Sequence, residues 1–241
     1  MVGSYDDVKK IAKSKNWDFV FFSDLPWWRR PLLSNWKFVE IDKTIAKDPT
    51  LICRWYKTHP HILFPEYERS IWIDSTIRIK NFSFIDERDK ELDENECKIS
   101  TAPNPYFDSV YEEAQDIVEN GKDSKENVEK MIDFLKSKNQ PLKEQRYETN
   151  FLWRKHKSKR MISFLEDWWF FIENYSKRDQ LSINYLLNKH QLNCELFFKT
   201  NNSCVRNRVD IIHQTHLHTR MSLKDKLKLS HIKKKLKVIL N

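Results

Sequence analysis

Short apolar runs of strand length alternate along this chain with segments of helix length, and this alternation constrains the fold most. The predicted strands are 17–22, 36–41, 70–74, 77–79, 99–102, 149–153 and 195–199. The predicted helices are 51–58, 108–120, 125–138, 161–175 and 180–188. Because parallel strands need connections long enough to hold a whole helix, this order predicts a layered α/β domain.

Two stretches of the chain differ in charge from the rest. Residues 86–130 are rich in Asp and Glu, whereas a run of lysines follows Arg220, and the net charge is +8. Within 222–241 the leucines and isoleucines fall near one helical face. Such a basic amphipathic helix suits an anionic membrane surface, and packing on its own domain or on a partner is the alternative. We therefore predict a main domain at 1–205 and a histidine-containing, basic appendage at 206–241.

Glycine occurs at only 2 positions, Gly3 and Gly121. Neither a P-loop nor a dinucleotide-binding fingerprint can be written with so few glycines. Any phosphate that the protein binds is therefore expected to contact lysine, arginine, a metal ion or the N-terminus of a helix.

The cysteines and the distribution of apolar residues indicate the compartment. The 4 cysteines show neither a C-x-x-C pair nor the spacing of metal ligands, which is typical of reduced thiols. The sequence has no apolar run near the roughly 18 residues that a membrane span needs, and no signal-peptide core follows Met1. These features predict a soluble cytoplasmic protein, with the basic tail as a candidate for peripheral membrane attachment.

Two aspartates stand at the ends of predicted strands. Asp24 comes just after the first strand, and Asp74 closes the third after the letters SIWI. In open α/β sheets, ligands bind outside the carboxyl ends of the strands. A carboxylate at such a position can hold a divalent metal on a diphosphate or accept a hydrogen bond from a ribose. The alternative for Asp74 is a cap of the following turn.

Two clusters of polar residues are further candidates for ligand contacts. Arg54 and Lys57 are three residues apart, so they share one face of the predicted helix and can both reach a phosphate, unless that face is simply solvated. Arg178, Asp179 and Gln180 lie between two apolar helices and offer a charged donor, a carboxylate and an amide. For Asp179, an N-cap role is the alternative.

Two other stretches also have both a structural and a functional interpretation. His213, His216 and His218 have the residue type of a ligand for a first-row metal, although clustered surface histidines often have no such role. Trp168 and Trp169 lie in a strongly apolar helix, where a core role is favoured over a carbohydrate platform.

Several of these motifs occur in an order that resembles a known family. The motifs are WDFVFFSDLP, the Arg54–Lys57 helix with Pro60–His61, YERSIWIDSTIRI, NPYFDSVYEEA, ETNFLWRKH, Trp168–Trp169 and SKRDQLSINY. Together they span roughly residues 17 to 190. They resemble the GT-A-type glycosyltransferases grouped with the plant mucilage-related and turgor-regulation proteins, which also include bacterial capsular-polysaccharide members.

The resemblance implies a single GT-A domain with a Rossmann-like, mostly parallel sheet, a nucleotide-sugar donor and a divalent metal, Mn²⁺ or Mg²⁺. It implies that Asp179 and Glu148 are catalytic. The implied donor-binding residues are Tyr5, Asp6, Asp24, Arg54, Lys57, Asp74, Arg154, His156, Arg178 and Gln180. The predicted metal ligands are Asp74, His213 and His216.

The sequence also departs from this family pattern. Thr76 stands where the second carboxylate of an Asp-x-Asp motif is expected, so a metal at Asp74 needs another ligand. Asn104 and Phe107 stand where the pattern has His and Arg. Residues 3–6 resemble the loop after a first nucleotide-binding strand, yet almost no sequence precedes them.

The expected function is that of a hexosyl- or related transferase in polysaccharide biosynthesis, acting on a glycan or lipid-linked acceptor. Metal and basic side chains would stabilise the charge of the leaving diphosphate, and a carboxylate would orient the acceptor or take its proton. A non-catalytic glycan-binding module and a basic nucleic-acid-binding protein are the alternatives. No nucleic acid is expected as a partner, because no recognition motif is found and the basic charge sits in the tail.

Overall fold

A computed structural model of the chain describes residues 11–26, 28, 35–75, 77–79, 81–96, 98–141, 143–198 and 209–211. These residues form a mixed α/β structure, which confirms the predicted class. The predicted boundary at residue 205 and the basic tail at 222–241 lie outside the described residues.

Every predicted strand and helix occurs in the predicted order, and two helices and one strand that were not predicted occur in addition among the residues that the structure describes. The strands are β1 (Val20–Ser23), β2 (Lys37–Glu40), β3 (Arg69–Ile73), β4 (Ile77–Ile79), β5 (Ile99–Pro103), β6 (Tyr147–Lys155), β7 (Cys194–Leu196) and β8 (Val209–Ile211). The helices are α1 (Pro49–Thr58), α2 (Pro60–Leu63), α3 (Ser83–Glu94), α4 (Val110–Glu119), α5 (Lys125–Ser137), α6 (Lys159–Asn174) and α7 (Ile183–Lys189). A 3₁₀ turn, Asp179–Leu181, precedes α7.

The central sheet has the strand order β3-β6-β5-β7. The long strand β6 runs antiparallel to both β3 and β5, and β7 runs parallel to β5. The remaining pairs are β1–β2, which is parallel, and β4–β8, which is antiparallel. The prediction of a mostly parallel sheet is therefore wrong. The central sheet is mixed, because β6 runs in the opposite direction to both of its neighbours.

Alternate residues of β6 face two different cores, as the pleat of a strand requires. Leu152 packs with the apolar faces of α4, α5, α6 and α7. Phe151 and Trp153 face the other side, where Ile85 and Leu92 of α3 cover the sheet. Both faces of the sheet are thus covered by helices, which gives a three-layer arrangement.

Three of the helices begin at serines whose hydroxyls accept backbone hydrogen bonds, as N-caps do. Ser109, Ser124 and Ser158 cap α4, α5 and α6 in this way. The helix α3 was not predicted, because only a few apolar residues interrupt its acidic sequence. In the described part of the chain the longest helix is α6 with 16 residues, and neither it nor another described helix meets the length and hydropathy of a membrane span.

Three polar residues meet where strands end at one edge of the central sheet. Asp74 follows β3, and its backbone N–H donates to the carbonyl of Asn150 on β6 at 2.8 Å. On the other side of β6, Glu148 pairs with Ala102 near the end of β5, and Asn104 follows that strand. The order across this edge is therefore Asp74, then Glu148 with Asn150, then Asn104.

Candidate functional site

A buried ion pair links α1 to the 3₁₀ turn. Lys57 Nζ donates to Asp179 Oδ2, and neither side chain is exposed to solvent. Arg54 lies one helical turn before Lys57, and its Nε is 3.2 Å from Asp179 Oδ1. The spacing of three residues places both cations on the same face of α1, so one carboxylate meets both.

Asp179 receives further hydrogen bonds from its own neighbourhood. Thr149 Oγ1 donates to Oδ2 at 2.8 Å, and Gln180 Nε2 donates to Oδ1 at 3.0 Å. Burial alone would raise the pKa of Asp179, but the charges of Arg54, Lys57 and Arg178 and the hydrogen bond from Lys57 lower it well below the usual range. Asp179 is therefore an anion whose two oxygens are both engaged by donors.

A cavity of about 1410 Å³ opens beside this ion-pair cluster. Arg54, Arg154 and Arg178 form the basic part of its wall next to this cluster, and Arg69 and Lys122 also belong to the lining. Lys57 and Asp179 are fully buried behind that wall, at 0% exposure each. These three arginines are thus the cations of the cavity wall beside the ion-pair cluster, and Asp179 holds Arg54 in place from behind.

Arg178 and Arg154 are both unusually desolvated for arginines. Burial lowers the pKa of Arg154 to about 9, and its Nη1 donates to the carbonyl of Lys57 at 2.5 Å. Burial and the charge of Arg54 lower the pKa of Arg178. Arg178 Nη2 donates to Gln180 Oε1 at 3.1 Å, whereas its buried Nε has no hydrogen-bond partner among the described residues. Arg178 lines the cavity, where its positive charge can attract an anion.

The acidic part of the cavity wall comes from the strand ends. Asp74 Oδ1 accepts a hydrogen bond of 2.6 Å from Trp72 Nε1, and Asn150 Nδ2 donates to Glu148 Oε2 at 3.1 Å. Asp74, Glu148 and Asn150 all line the cavity, and Trp72 belongs to the same lining. Within the described ranges no group of three His, Cys, Asp or Glu residues is arranged to hold a metal ion.

A second buried arginine supports the 3₁₀ turn from the opposite side. Arg146 Nη2 donates to the carbonyl of Gln180 at 2.6 Å and to Glu113 Oε2 at 2.9 Å, while Nη1 donates to Asn184 Oδ1 at 2.9 Å. Burial raises the pKa of Glu113, against the lowering effect of the Arg146 charge. Arg146 thus connects β6, α4, α7 and the turn that carries Arg178.

The predicted site residues, with Thr76 of the incomplete Asp-x-Asp motif, divide into three groups, and Lys57 belongs with those that lie off the cavity lining. Asp74, Arg54, Arg154, Arg178 and Gln180 line one cavity together with Glu148. His156 is fully buried, with Nε2 3.2 Å from the carbonyl of Phe64, and Asp24 lies off this lining, 3.7 Å from Lys43. Tyr5, Asp6, Thr76, His213 and His216 lie outside the described residues.

These contacts decide between the structural and the functional interpretation for Arg54 with Lys57, for Asp179 and for Trp168. Arg54 and Lys57 are buried, so a solvated helix face is excluded for them. The N-cap position of the 3₁₀ turn belongs to Arg178, so Asp179 is not its cap. Trp168 is a core residue, as predicted, and its Nε1 also donates to the carbonyl of Asp179 at 3.0 Å.

Sequence reasoning missed Thr149, Arg146 and Glu113 as parts of this network. Thr149 has the neutral hydroxyl of an ordinary strand residue, and only its place beside Glu148 in the ETNF letters hinted at a role. Arg146 and Glu113 meet across 33 residues of sequence, so no local spacing could have paired them.

The fold and the cavity define a class of protein: a three-layer α/β domain with a basic, partly acidic cleft at the strand ends of its central sheet. Residues 29–216 match the family described as TOD1/MUCI70, glycosyltransferase-like domain. The chain belongs to this glycosyltransferase-like family, which supports a transferase activity with a sugar donor and an acceptor in general. Searches of curated proteins and of solved structures give no match.

Proposed function

We propose that the protein is a glycosyltransferase that moves a sugar from a nucleoside-diphosphate donor to a glycan acceptor, with assistance from a divalent metal. The observation that carries this proposal is the pair Arg54 and Arg178 on the cavity wall, with Asp179 buried behind them. Arginine binds phosphate oxygens through several N–H groups in a fixed plane, which suits a diphosphate.

Asp179 has a positioning role in this proposal. Its carboxylate is fully buried, lies off the cavity lining and has both oxygens bonded to donors. A proton acceptor needs an accessible oxygen and a pKa near the working pH, and the lowered pKa of Asp179 opposes that role. Asp179 instead fixes Arg54 and the backbone turn that carries Arg178.

Glu148 is the carboxylate that we assign to the acceptor hydroxyl. It lines the cavity, is half-buried and stands at the sheet edge between Asp74 and Asn104. The acceptor oxygen would form the new bond to the anomeric carbon as the bond from that carbon to the diphosphate breaks, and Glu148 would take the hydroxyl proton. Arg54 and Arg178 would stabilise the charge that develops on the leaving diphosphate.

The residues around Asp74 fit a divalent metal. Asp74, Glu148 and the side-chain oxygen of Asn150 are hard oxygen ligands on one cavity wall. Mg²⁺ is commonly held by one or two carboxylates together with substrate phosphates, so three protein acids are not required. A metal held there would neutralise diphosphate charge, and Glu148 or Asn150 would replace the second carboxylate that the Asp-x-Asp pattern lacks.

The test is a thermal-shift panel of UDP, GDP, ADP and CDP and their common sugar conjugates, with and without Mn²⁺. At least one nucleotide is expected to raise the Tm by several degrees, on the order expected for ligand at about 100 times its Kd. Arg178→Met should abolish the shift, while Arg160→Met, an exposed charge-matched control at the start of α6, should retain it. An absent shift with every nucleotide, or a full shift in Arg178→Met, would refute the proposed donor site.

A further inference from the structure

Three polar positions lie in a fixed order along one edge of the central sheet, and this order determines from which side an acceptor can approach. The strand order puts β6 between β3 and β5, so Glu148 lies between Asp74 on one side and Asn104 on the other. If the donor diphosphate occupies the side of Arg54 and Asp74, as proposed above, the second substrate must reach Glu148 from the side of Asn104. The inference rests on that proposed function.

The loop after β5 is held in a fixed conformation on that side. Asn104 N–H donates to the carbonyl of Arg146 at 2.8 Å, and Asn104 Nδ2 donates to Glu113 Oε1 at 3.3 Å. Asn104 Oδ1 in turn accepts from the N–H of Tyr106 at 2.9 Å. These bonds fix the backbone that carries Tyr106, whose side chain borders the cavity and is 66% exposed.

The end of α4 and the turn after it also line this cavity, through Asp116, Asn120 and Lys122. Lys122 Nζ is 2.6 Å from Asp116 Oδ2, and Asn120 Nδ2 donates to Asp116 Oδ1 at 2.8 Å. Gly121 has a φ of +61°, and this left-handed residue turns the chain so that Lys122 returns beside the helix. The three polar side chains are therefore held together, and the charges of Lys122 and Asp116 compensate each other.

We propose that Tyr106, Asn120 and Lys122 form the binding site for a neutral glycan acceptor. Ligand sites orient their ligands with a few well-placed polar groups, and amide, carboxylate and ammonium groups match the hydroxyls of a sugar. The face of an exposed aromatic ring can pack against the C–H face of a pyranose, and a tyrosine loses little conformational freedom on doing so. The compensated charge of the Lys122–Asp116 pair favours an uncharged sugar over an acidic one.

The experiment uses the full chain on an array of neutral oligosaccharides and of uronic-acid and sulfated oligosaccharides, with the nucleotide thermal shift measured in parallel. The wild type is expected to bind at least one neutral oligosaccharide. Tyr106→Ala should weaken that binding about tenfold or more, and Tyr106→Phe should change it less than about threefold, because the ring face is kept. Phe170→Ala is the matched control, since Phe170 is an aromatic residue of similar exposure on α6.

Nucleotide binding should be the same in the Tyr106 variants as in the wild type, which also checks that they are folded. Unchanged array binding in Tyr106→Ala, binding to acidic oligosaccharides alone, or binding to no oligosaccharide would each overturn the acceptor site. A nucleotide shift without glycan binding would leave the donor site standing. Glycan binding that Tyr106→Ala abolishes, without any nucleotide shift, would support the glycan site and refute the transferase.

Discussion

Lys57 on α1 and Asp179 in the 3₁₀ turn form an ion pair that is completely shielded from solvent. Their residues are 122 positions apart in sequence, so the pair joins two distant parts of the chain behind the cavity wall. Removing one member of a buried pair leaves an uncompensated charge in the interior, which costs far more than the pair itself contributes.

We therefore expect Asp179→Asn to lower the free energy of unfolding by about 3–5 kcal/mol, because Lys57 and Arg54 remain buried without their counter-ion. Urea denaturation at neutral pH measures this change. Lys189→Met is the control: its exposed pair with Asp167 should be worth less than about 1 kcal/mol. A loss below about 1 kcal/mol in Asp179→Asn would mean that the cations are compensated by other groups.

The double variant Lys57→Met/Asp179→Leu separates stability from function. Replacing a buried ion pair with apolar residues is often neutral, so the double variant is expected to regain part of the stability lost in Asp179→Asn, although Arg54 still lacks its carboxylate partner. Nucleotide binding should stay weak, because Arg54 and the turn that carries Arg178 are no longer oriented. Recovery of both properties would argue against the positioning role of Asp179.

Stability is also expected to depend on pH through two buried histidines. Burial lowers the pKa of His59 and of His156, against hydrogen bonds to the carbonyls of Trp55 and Phe64 that raise it. In the unfolded chain these histidines bind protons below about pH 6.5, whereas in the folded chain they stay neutral to a lower pH. The free energy of unfolding therefore falls as the pH drops below that value. Urea unfolding from pH 8 to pH 5 measures the slope.

His156→Gln should flatten this slope, whatever its effect on stability at pH 8. Asp179 acts in the same direction but at lower pH, because its folded-state pKa is also lowered: its stabilisation is present above about pH 3.9 and is lost as the pH falls below that value. The two contributions therefore fall in separate pH windows. An unchanged slope between pH 7 and 5 in His156→Gln would leave His156 without a part in the pH dependence.

Particular residues explain how much of this could be predicted from the sequence. Asp74 was found because a short apolar run predicts β3, and Arg54 and Lys57 because helical spacing puts them on one face. Glu148, by contrast, came only from the family resemblance. Its place between Asp74 and Asn104 depends on β6 running antiparallel between β3 and β5, and strand order is a tertiary property that single-strand patterns do not contain.

The buried pair of Arg146 and Glu113 behind the 3₁₀ turn could not be predicted from the sequence either, because it also depends on tertiary packing. Arg146 and Glu113 are ordinary charged residues in the sequence, and only packing of β6 against α4 makes them a buried pair. Arg146→Met is expected to cost about 3 kcal/mol or more, because Glu113 loses its counter-ion. Arg146→Met/Glu113→Leu should recover part of that loss.

Nucleotide binding distinguishes the role of Arg146 in stability from its role in holding the 3₁₀ turn. Because its guanidinium also holds the carbonyl of Gln180, nucleotide binding is expected to remain impaired in the double variant even where stability returns. Amide hydrogen exchange over residues 178–182 should be faster in both variants than in the wild type, while exchange in α3, which packs on the opposite face of the central sheet, should match the wild type once stability is restored. Normal nucleotide binding in the double variant would limit Arg146 to a structural role.

Asp74 and Glu148 are the charged oxygen ligands of the proposed metal site. Asp74→Asn and Glu148→Gln should each reduce the additional thermal shift that Mn²⁺ gives in the presence of a nucleoside diphosphate, because each removes a charged oxygen ligand. Asp24→Asn is the matched control: Asp24 also follows a strand but lies off the cavity beside Lys43, so its variant should keep the full Mn²⁺ effect. Isothermal titration with Mn²⁺ measures the same loss without catalysis. If Asp74→Asn weakens Mn²⁺ binding and Glu148→Gln does not, the ligand that replaces the missing second carboxylate is not Glu148, and its role is confined to the acceptor.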